Sequence, residues 1–302
     1  MSEFVIAVHG GAGAWRLGVG REALEDVIRR ALQKGAEVMR SGSCLEAVVE
    51  AIASLEDSGI LNAGVGSTLD YLGRVSMDAG LMRSDGRAGA VALVTYPRNP
   101  IRLAKIVMER TPHVLIAGPE ADELARRMGL ERHPGPSERA LAKWRELRER
   151  PESEWVRARI EAATALGYDT VGAVALGPDG CLAAGASTGG VSLKLPGRIG
   201  DSPVPGAGFY ANENIAVSAT GIGETILLSM SSLRLADAYL QVGELEEALE
   251  RVVSDHSKRW GLNTLGLIAV TRRGEVGGRY NAEAMPWGYM KGGEIRVLGI
   301  PA

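Results

Sequence analysis

Apolar positions along the chain follow two periods, one of strands and one of helices. Residues 4–8, FVIAV, form a short apolar run that predicts a buried strand, and the glycine loop HGGAGAW follows at 9–15. Over 22–40 the apolar residues Leu24, Val27, Ile28, Ala31, Leu32 and Val38 recur at helical spacing. Ser43 can cap a second helix over about 44–57, with Glu46 three residues on completing a capping box. NAGVG at 62–66 reads as a loop, 74–80 and 88–95 as strands, the second fully buried. Asn99-Pro100 starts a helix over 101–110, VLIA at 114–117 is a short strand, and Pro119 opens another helix.

The pattern then weakens and recovers. From 133 to 169 the chain interleaves Arg139, Lys143, Arg145, Arg148, Arg150, Arg157 and Arg159 with glutamates, and Pro151 divides it into two helices. Mixed charge with few large apolar residues predicts a solvated arm or surface helical pair. Beyond it, TVGAVAL at 170–176, the turn PDG at 178–180 and CLAAGAS at 181–187 make a hairpin with Thr170 as its first residue. Strands follow at 208–211 and 215–219, helices at 222–240 and 243–257, and a final set of strands opens with TLGLIAVT at 264–271. Hairpins with helices grouped between them imply an α+β layered fold and not a doubly wound sheet.

Composition narrows the function classes. At 302 residues and 45% hydrophobic the chain can bury a large core, and we expect a single domain over 1–302. The formal net charge is -3 and no lobe is strongly basic, so no nucleic-acid partner is expected. No charged segment leads an apolar stretch at the start, and no apolar run approaches the ~20 residues of a membrane span. A soluble, cytoplasmic protein with no membrane partner is the expectation. Cys44 and Cys181 suit neither a metal spacing nor a disulfide framework and read as two small buried apolar residues. His9, His113, His133 and His256 are far apart in sequence and read as structural or exposed.

Two familiar motifs fail on context. Gly11 and Gly13 lack the third glycine of a dinucleotide fingerprint, since position 16 is Arg16; Gly221 and Gly223 fail likewise at Ile226. Gly185-Ala186-Ser187-Thr188-Gly189 matches G-x-S-x-G in letters, but Gly189, Gly190 and Pro196 follow where a nucleophile elbow needs a helix.

The informative stretch is 167–223, which opens GYDTVGAVAL and contains STGG at 187–190, GRIGDS at 197–202 and ATGIG at 219–223. With HGGAG at 9–13, NAGVGS at 62–67, MDAG at 77–80, AGAVA at 88–92 and RNP at 98–100, it resembles the plant-type asparaginase family, which includes isoaspartyl peptidases and is related to glycosylasparaginases and threonine-aspartase proteases. The motifs occur in the family's order over nearly the whole chain, most weakly in the arm. The resemblance implies a four-layer αββα sandwich of the N-terminal-nucleophile hydrolase kind. It also implies self-cleavage between Asp169 and Thr170 into fragments 1–169 and 170–302, and a dimer of the cleaved heterodimers.

The chemistry is intelligible from the residues. A threonine hydroxyl is a poor nucleophile without a base beside it. Breaking the bond before Thr170 frees an α-amine of pKa about 8 on the same residue. Such pre-positioning can supply of order 7–11 kcal/mol in the best model systems. Self-cleavage would proceed by attack of the Thr170 hydroxyl on the Asp169 carbonyl, an N→O acyl shift, and hydrolysis of the ester. Gly167 and Gly172 flank the bond and permit the backbone strain.

Further roles follow from the resemblance. Thr188 matches the second threonine, which contacts the nucleophile. Thr220 and Gly221 match the oxyanion hole, and Asn62 orients the nucleophile. Arg198 and Asp201 match a clamp for the α-carboxylate and α-ammonium of an aspartyl group, chemistry that a guanidinium and a carboxylate suit, with the Gly223 carbonyl as a further acceptor. No cofactor is required. A structural sodium ion on the backbone carbonyls of Leu55, Glu56, Ser58, Leu61, Ala63 and Val65 is implied. The expected substrates are L-asparagine and N-terminal β-aspartyl dipeptides. Among relatives, glycosylasparaginase carries STNG where this chain has Gly189, although Asp169 resembles that branch. A threonine-aspartase protease lacks the GD that supplies Asp201. A non-catalytic, uncleaved member is the alternative from another class.

Overall fold

The computed structural model describes residues 4–13, 20–40, 43–149 and 170–301. Eight strands form one sheet and four another. The larger sheet runs β12-β11-β1-β5-β6-β2-β3-β4. Its members are β1 (Val5–His9), β2 (Met77–Arg83), β3 (Ala88–Val94), β4 (Leu115–Ala117), β5 (Val171–Leu176), β6 (Leu182–Thr188), β11 (Trp287–Lys291) and β12 (Glu294–Leu298). The smaller sheet, β10-β9-β8-β7, comprises β7 (Phe209–Ala211), β8 (Ile215–Gly221), β9 (Leu265–Thr271) and β10 (Val276–Tyr280). Helices α1 (Arg21–Met39), α2 (Cys44–Asp57) and α3 (Pro100–Arg110) cover the outer face of the large sheet, where α4 (Gly118–Arg127) also packs on β3. After β8 come α6 (Gly223–Ser229), α7 (Ser231–Val242) and α8 (Leu245–Trp260); α7 and α8 cover the small sheet, and α5 (Glu138–Arg148) precedes Thr170. The result is the expected four-layer αββα sandwich.

Strand periodicity explains why so many segments are apolar throughout. Successive side chains of a strand point to opposite faces, and here each face meets a core. In β1, Ile6 and Val8 pack under the helices while Val5 and Ala7 pack between the sheets. In β5, Val171, Ala173 and Ala175 face the helices, and Val174 and Leu176 face the other sheet. In β9, Leu265, Leu267 and Ala269 meet α7 and α8, while Ile268 and Val270 turn inward.

The capping box at α2 forms in its N-cap half, the Ser43 hydroxyl accepting from the Glu46 amide at 3.2 Å. The helix expected over 222–240 is divided at Met230, whose left-handed backbone (φ 48°) ends α6 and starts α7.

One expectation is corrected. Cys44 and Cys181 are joined as a disulfide, their Cα atoms 6.0 Å apart across 137 residues of sequence. The turn between β5 and β6 carries Cys181 against the start of α2, a juxtaposition that no local spacing reveals. Of the two helices expected in the charged segment after 133, the first forms as α5 on the surface. Trp144 of α5 donates to the Asp70 carbonyl at 3.0 Å, Arg148 to that of Tyr71 at 2.9 Å, and Ala140 and Leu147 are buried. The second helix expected after Pro151, and Asp169, lie outside the described residues.

Candidate active site

Alternation along the strands brings three threonines to one place. Thr170 directly precedes β5 and shares the parity of Val174 and Leu176, which face the space between the sheets. Thr188 ends β6 on the parity of Ala184 and Ala186, also inward-facing, and Thr220 lies near the end of β8 on the parity of Ala216. Val171 pairs with Ser187, so one further step of the antiparallel ladder sets Thr170 opposite Thr188. All three threonines are buried. Nucleophile candidate and partner thus sit at the same open end of the inter-sheet core.

A small cleft opens there, lined by Asn62, Thr170, Thr188, Gly190, Val191, Arg198, Asp201, Gly221 and Gly223. It gathers residues from both sheets and three loops, including seven named from the sequence. Thr220 lies behind this lining, its Oγ1 accepting from the Ala12 amide at 3.2 Å. Gly221 has φ 138°, and a side chain there would collide with the Thr264 carbonyl, so only glycine turns its backbone at this point.

Asn62 braces the loops. Its Nδ2 donates to the Gly190 carbonyl at 2.6 Å and its Oδ1 accepts from the Thr68 amide at 2.8 Å. The Thr188 Oγ1 accepts from the Gly190 amide at 2.9 Å, so Gly190 links the two side chains. A Cβ on Gly189 would fall 2.5 Å from the Asn62 Oδ1, leaving no room for a side chain.

The charged wall is built from residues far apart in sequence. Arg198 donates through Nε and Nη2 to the two carboxylate oxygens of Glu224, each at 3.0 Å. This uses one edge of the guanidinium and leaves the Nη1 edge for a second carboxylate. Burial works against the Arg198 charge, but Glu224 and Asp201 outweigh it and raise its pKa above the usual value. Asp201 is buried, and its Oδ2 has no hydrogen-bond partner among the described residues. Burial pushes the Asp201 carboxyl up to about 7, with Arg198 pulling the other way. A buried carboxylate with an open lone pair is costly alone, and an incoming ammonium would relieve that cost.

Sequence reasoning missed several neighbours. Glu224 follows the ATGIG motif, but nothing in the spacing points to Arg198. His9 sits behind the nucleophile with Nε2 3.0 Å from the Ser218 Oγ. The Ser218 hydroxyl donates to the Gly185 carbonyl at 3.0 Å and therefore accepts from the imidazole N–H. Burial pushes His9 down to about 3, a backbone contact with Thr170 opposing it, so the ring is neutral. Lys194 and Asp78 are fully buried beside the cleft, and neither drew notice in the sequence.

A layered sandwich with a threonine opening a central strand and a cleft lined by polar groups at its end defines the N-terminal-nucleophile class of hydrolase. The asparaginase family model matches residues 2–300. The chain is similar to a plant-type L-asparaginase of Pyrobaculum calidifontis, at 45% identity over 298 residues that cover 97% of this chain and 98% of the relative. It is also similar to the isoaspartyl peptidase of Escherichia coli, at 37% over 324 residues (99% and 97%), and to the isoaspartyl peptidase/L-asparaginase of Mus musculus, at 37% over 304 residues (97% and 90%). The chain belongs to the asparaginase family.

Proposed function

We propose that this protein is a self-processing threonine amidohydrolase that hydrolyses L-asparagine to aspartate and ammonia and cleaves N-terminal β-aspartyl dipeptides. The observation that carries the reading is the convergence of Thr170 and Thr188 with Arg198 and Asp201 around one small cleft. The guanidinium and the carboxylate on its wall suit the charged head group of an amino acid.

In the proposed reaction the free edge of Arg198 takes the substrate α-carboxylate and Asp201 takes the α-ammonium, aided by the Gly223 carbonyl. The Thr170 hydroxyl attacks the side-chain carbonyl carbon, and its proton passes to the free α-amine of the same residue. The Gly221 N–H and the Thr220 hydroxyl hold the oxyanion; losing one such donor typically costs about 3–4 kcal/mol. The C–N bond breaks, the leaving amine takes the proton back, and water then cleaves the aspartyl ester. The same hydroxyl first attacks the Asp169 carbonyl to liberate the amine, giving fragments 1–169 and 170–302.

The closed space at Gly189 favours this reading over glycosylasparaginase, whose relatives carry an asparagine at that position. A structural sodium ion is part of the proposal. Gly64 and Gly66 leave open a cradle beside the carbonyls of Glu56 and Leu61, which a Cβ at either glycine would fill. So is a dimer of the cleaved units, to be weighed by light scattering, and a cytoplasmic location, to be read by cell fractionation. No helix among the described residues is long and apolar enough to cross a membrane.

Intact-mass measurement and ammonia release from asparagine test the central claim together. The active protein should yield two masses under reducing, denaturing conditions, and Thr170→Ala should yield one mass and no ammonia. Turnover that survives Thr170→Ala refutes the mechanism.

A further inference from the structure

Lys194 is a buried cation for which the chemistry above has no use. Its side chain is only 1% exposed, and its ammonium donates to the Ser76 carbonyl at 2.7 Å. Isolated burial of an ammonium is expensive unless it is paired and hydrogen-bonded. The carboxylate whose field most favours the ammonium is Asp78, at the start of β2, though the two make no ion pair. Its Oδ1 accepts from the Leu93 amide at 2.9 Å, while its Oδ2 is buried without a hydrogen-bond partner among the described residues. Burial pushes the Lys194 ammonium below its ordinary value, Asp78 and Asp70 opposing and Arg198 reinforcing.

The position of these two residues ties them to the threonine centre. Asp78 stands directly opposite Thr188 in the β2–β6 ladder, on the inward face. The Lys194 Nζ lies 2.8 Å from where a Cβ of Gly190 would be, so the ammonium rests against the back of that glycine. Gly190 has φ 78°, a left-handed turn open to it because it lacks a side chain. Its amide donates to the Thr188 Oγ1 and its carbonyl accepts from Asn62. A shift of the Gly190 turn would therefore move both groups that flank Thr170.

We propose that Lys194 is a positioning residue for hydrolysis: tied to the Ser76 carbonyl and seated against Gly190, its ammonium props the Gly190 turn and so aims Thr188 and Asn62 at the nucleophile. The inference rests on the threonine mechanism proposed above. It requires Lys194 to act on kcat, because the group it orients serves the reacting atoms and not the substrate head.

The test compares wild type, Lys194→Met and the double variant Lys194→Met/Asp78→Asn by steady-state kinetics on asparagine, with thermal melting alongside. Replacing buried charges of opposite sign together by neutral groups of similar volume is often neutral for stability or better, so the double variant keeps a folded protein in the comparison. The expected result is a double variant that melts within a few degrees of wild type, with kcat reduced about 10–100-fold, as a misplacement approaching 1 Å produces, and KM changed less than about threefold. A double variant with wild-type kcat overturns the proposal, whatever its melting temperature. Unchanged kcat with a raised KM also overturns it and assigns Lys194 to the substrate clamp. Wild-type protein that releases no ammonia refutes the underlying mechanism instead, and a wild-type control separates the two failures.

Discussion

Reducing the Cys44–Cys181 bridge should destabilise the protein by an amount that depends on whether the backbone before Thr170 is intact. In an uncleaved chain such as Thr170→Ala, the bridge closes a loop of 137 residues. Loop-closure entropy grows with the logarithm of loop length and at this length gives about 5 kcal/mol at 25 °C. Spread over 302 residues, with an unfolding entropy of roughly 2 cal/mol/K per residue, that corresponds to a fall in Tm of about 8 °C. In the cleaved protein Cys44 and Cys181 lie on different fragments, so the same bond prevents their separation on unfolding. Reductant should then make the midpoint depend on protein concentration, which it does not do while the bridge holds. Gels report this directly: one band of full mass without reductant and two with it. Two thiols titrating in denatured, unreduced protein would refute the cross-link, as would a Thr170→Ala midpoint indifferent to reductant.

Three other outcomes are expected. The raised pKa of Asp201 makes the neutral acid the favoured form below about 7; binding a substrate ammonium requires the carboxylate, so kcat/KM should fall as pH drops through that value. Because its folded pKa exceeds the unfolded one, ionised Asp201 costs stability as pH rises from 3.8 to about 7. Asp201→Asn should accordingly lose activity while melting no lower than wild type at pH 8, and a lower melting point would contradict the burial cost. Gly223→Ala would set a Cβ 2.7 Å from the Arg198 Nη2 and 2.9 Å from the Asp201 Oδ1. It should raise KM by about 10–100-fold, the worth of one charged hydrogen bond of about 1.5–3 kcal/mol, and an unchanged KM would remove both residues from the clamp. Exchanging sodium for a bulky organic cation should lower Tm with little change in kcat at 25 °C; an unaltered melting curve argues against the ion.

How much was legible in advance depended on the range of each signal. Strands such as VIAVH and LGLIAVT and the Ser43 cap declare themselves within a few residues, and the ordered glycine motifs marked the loops around the cleft. Pairing across the fold did not declare itself. Arg198 with Glu224, and Cys44 with Cys181, are each brought together by loops and helices packing across the fold, which periodicity cannot supply. The charged helix Glu138–Arg148 was legible as a surface helix ahead of Pro151, but its docking was not, since that rests on Trp144 and two buried apolar residues among its arginines. Thr170 itself is an ordinary β-branched residue at the head of a strand until Thr188, Arg198 and Asp201 are seen around it.

The order of strands in the large sheet has a consequence for any cut made just ahead of Thr170. Strands from before that point (β1, β2, β3, β4) and after it (β5, β6, β11, β12) alternate like the fingers of clasped hands: β1 is gripped on both sides by later strands, and β6 by an earlier one. Neither segment holds the complete large sheet, although the small one lies wholly in the later segment. Severing the backbone there frees a chain end without freeing a piece, and either half made alone leaves the large sheet unfinished.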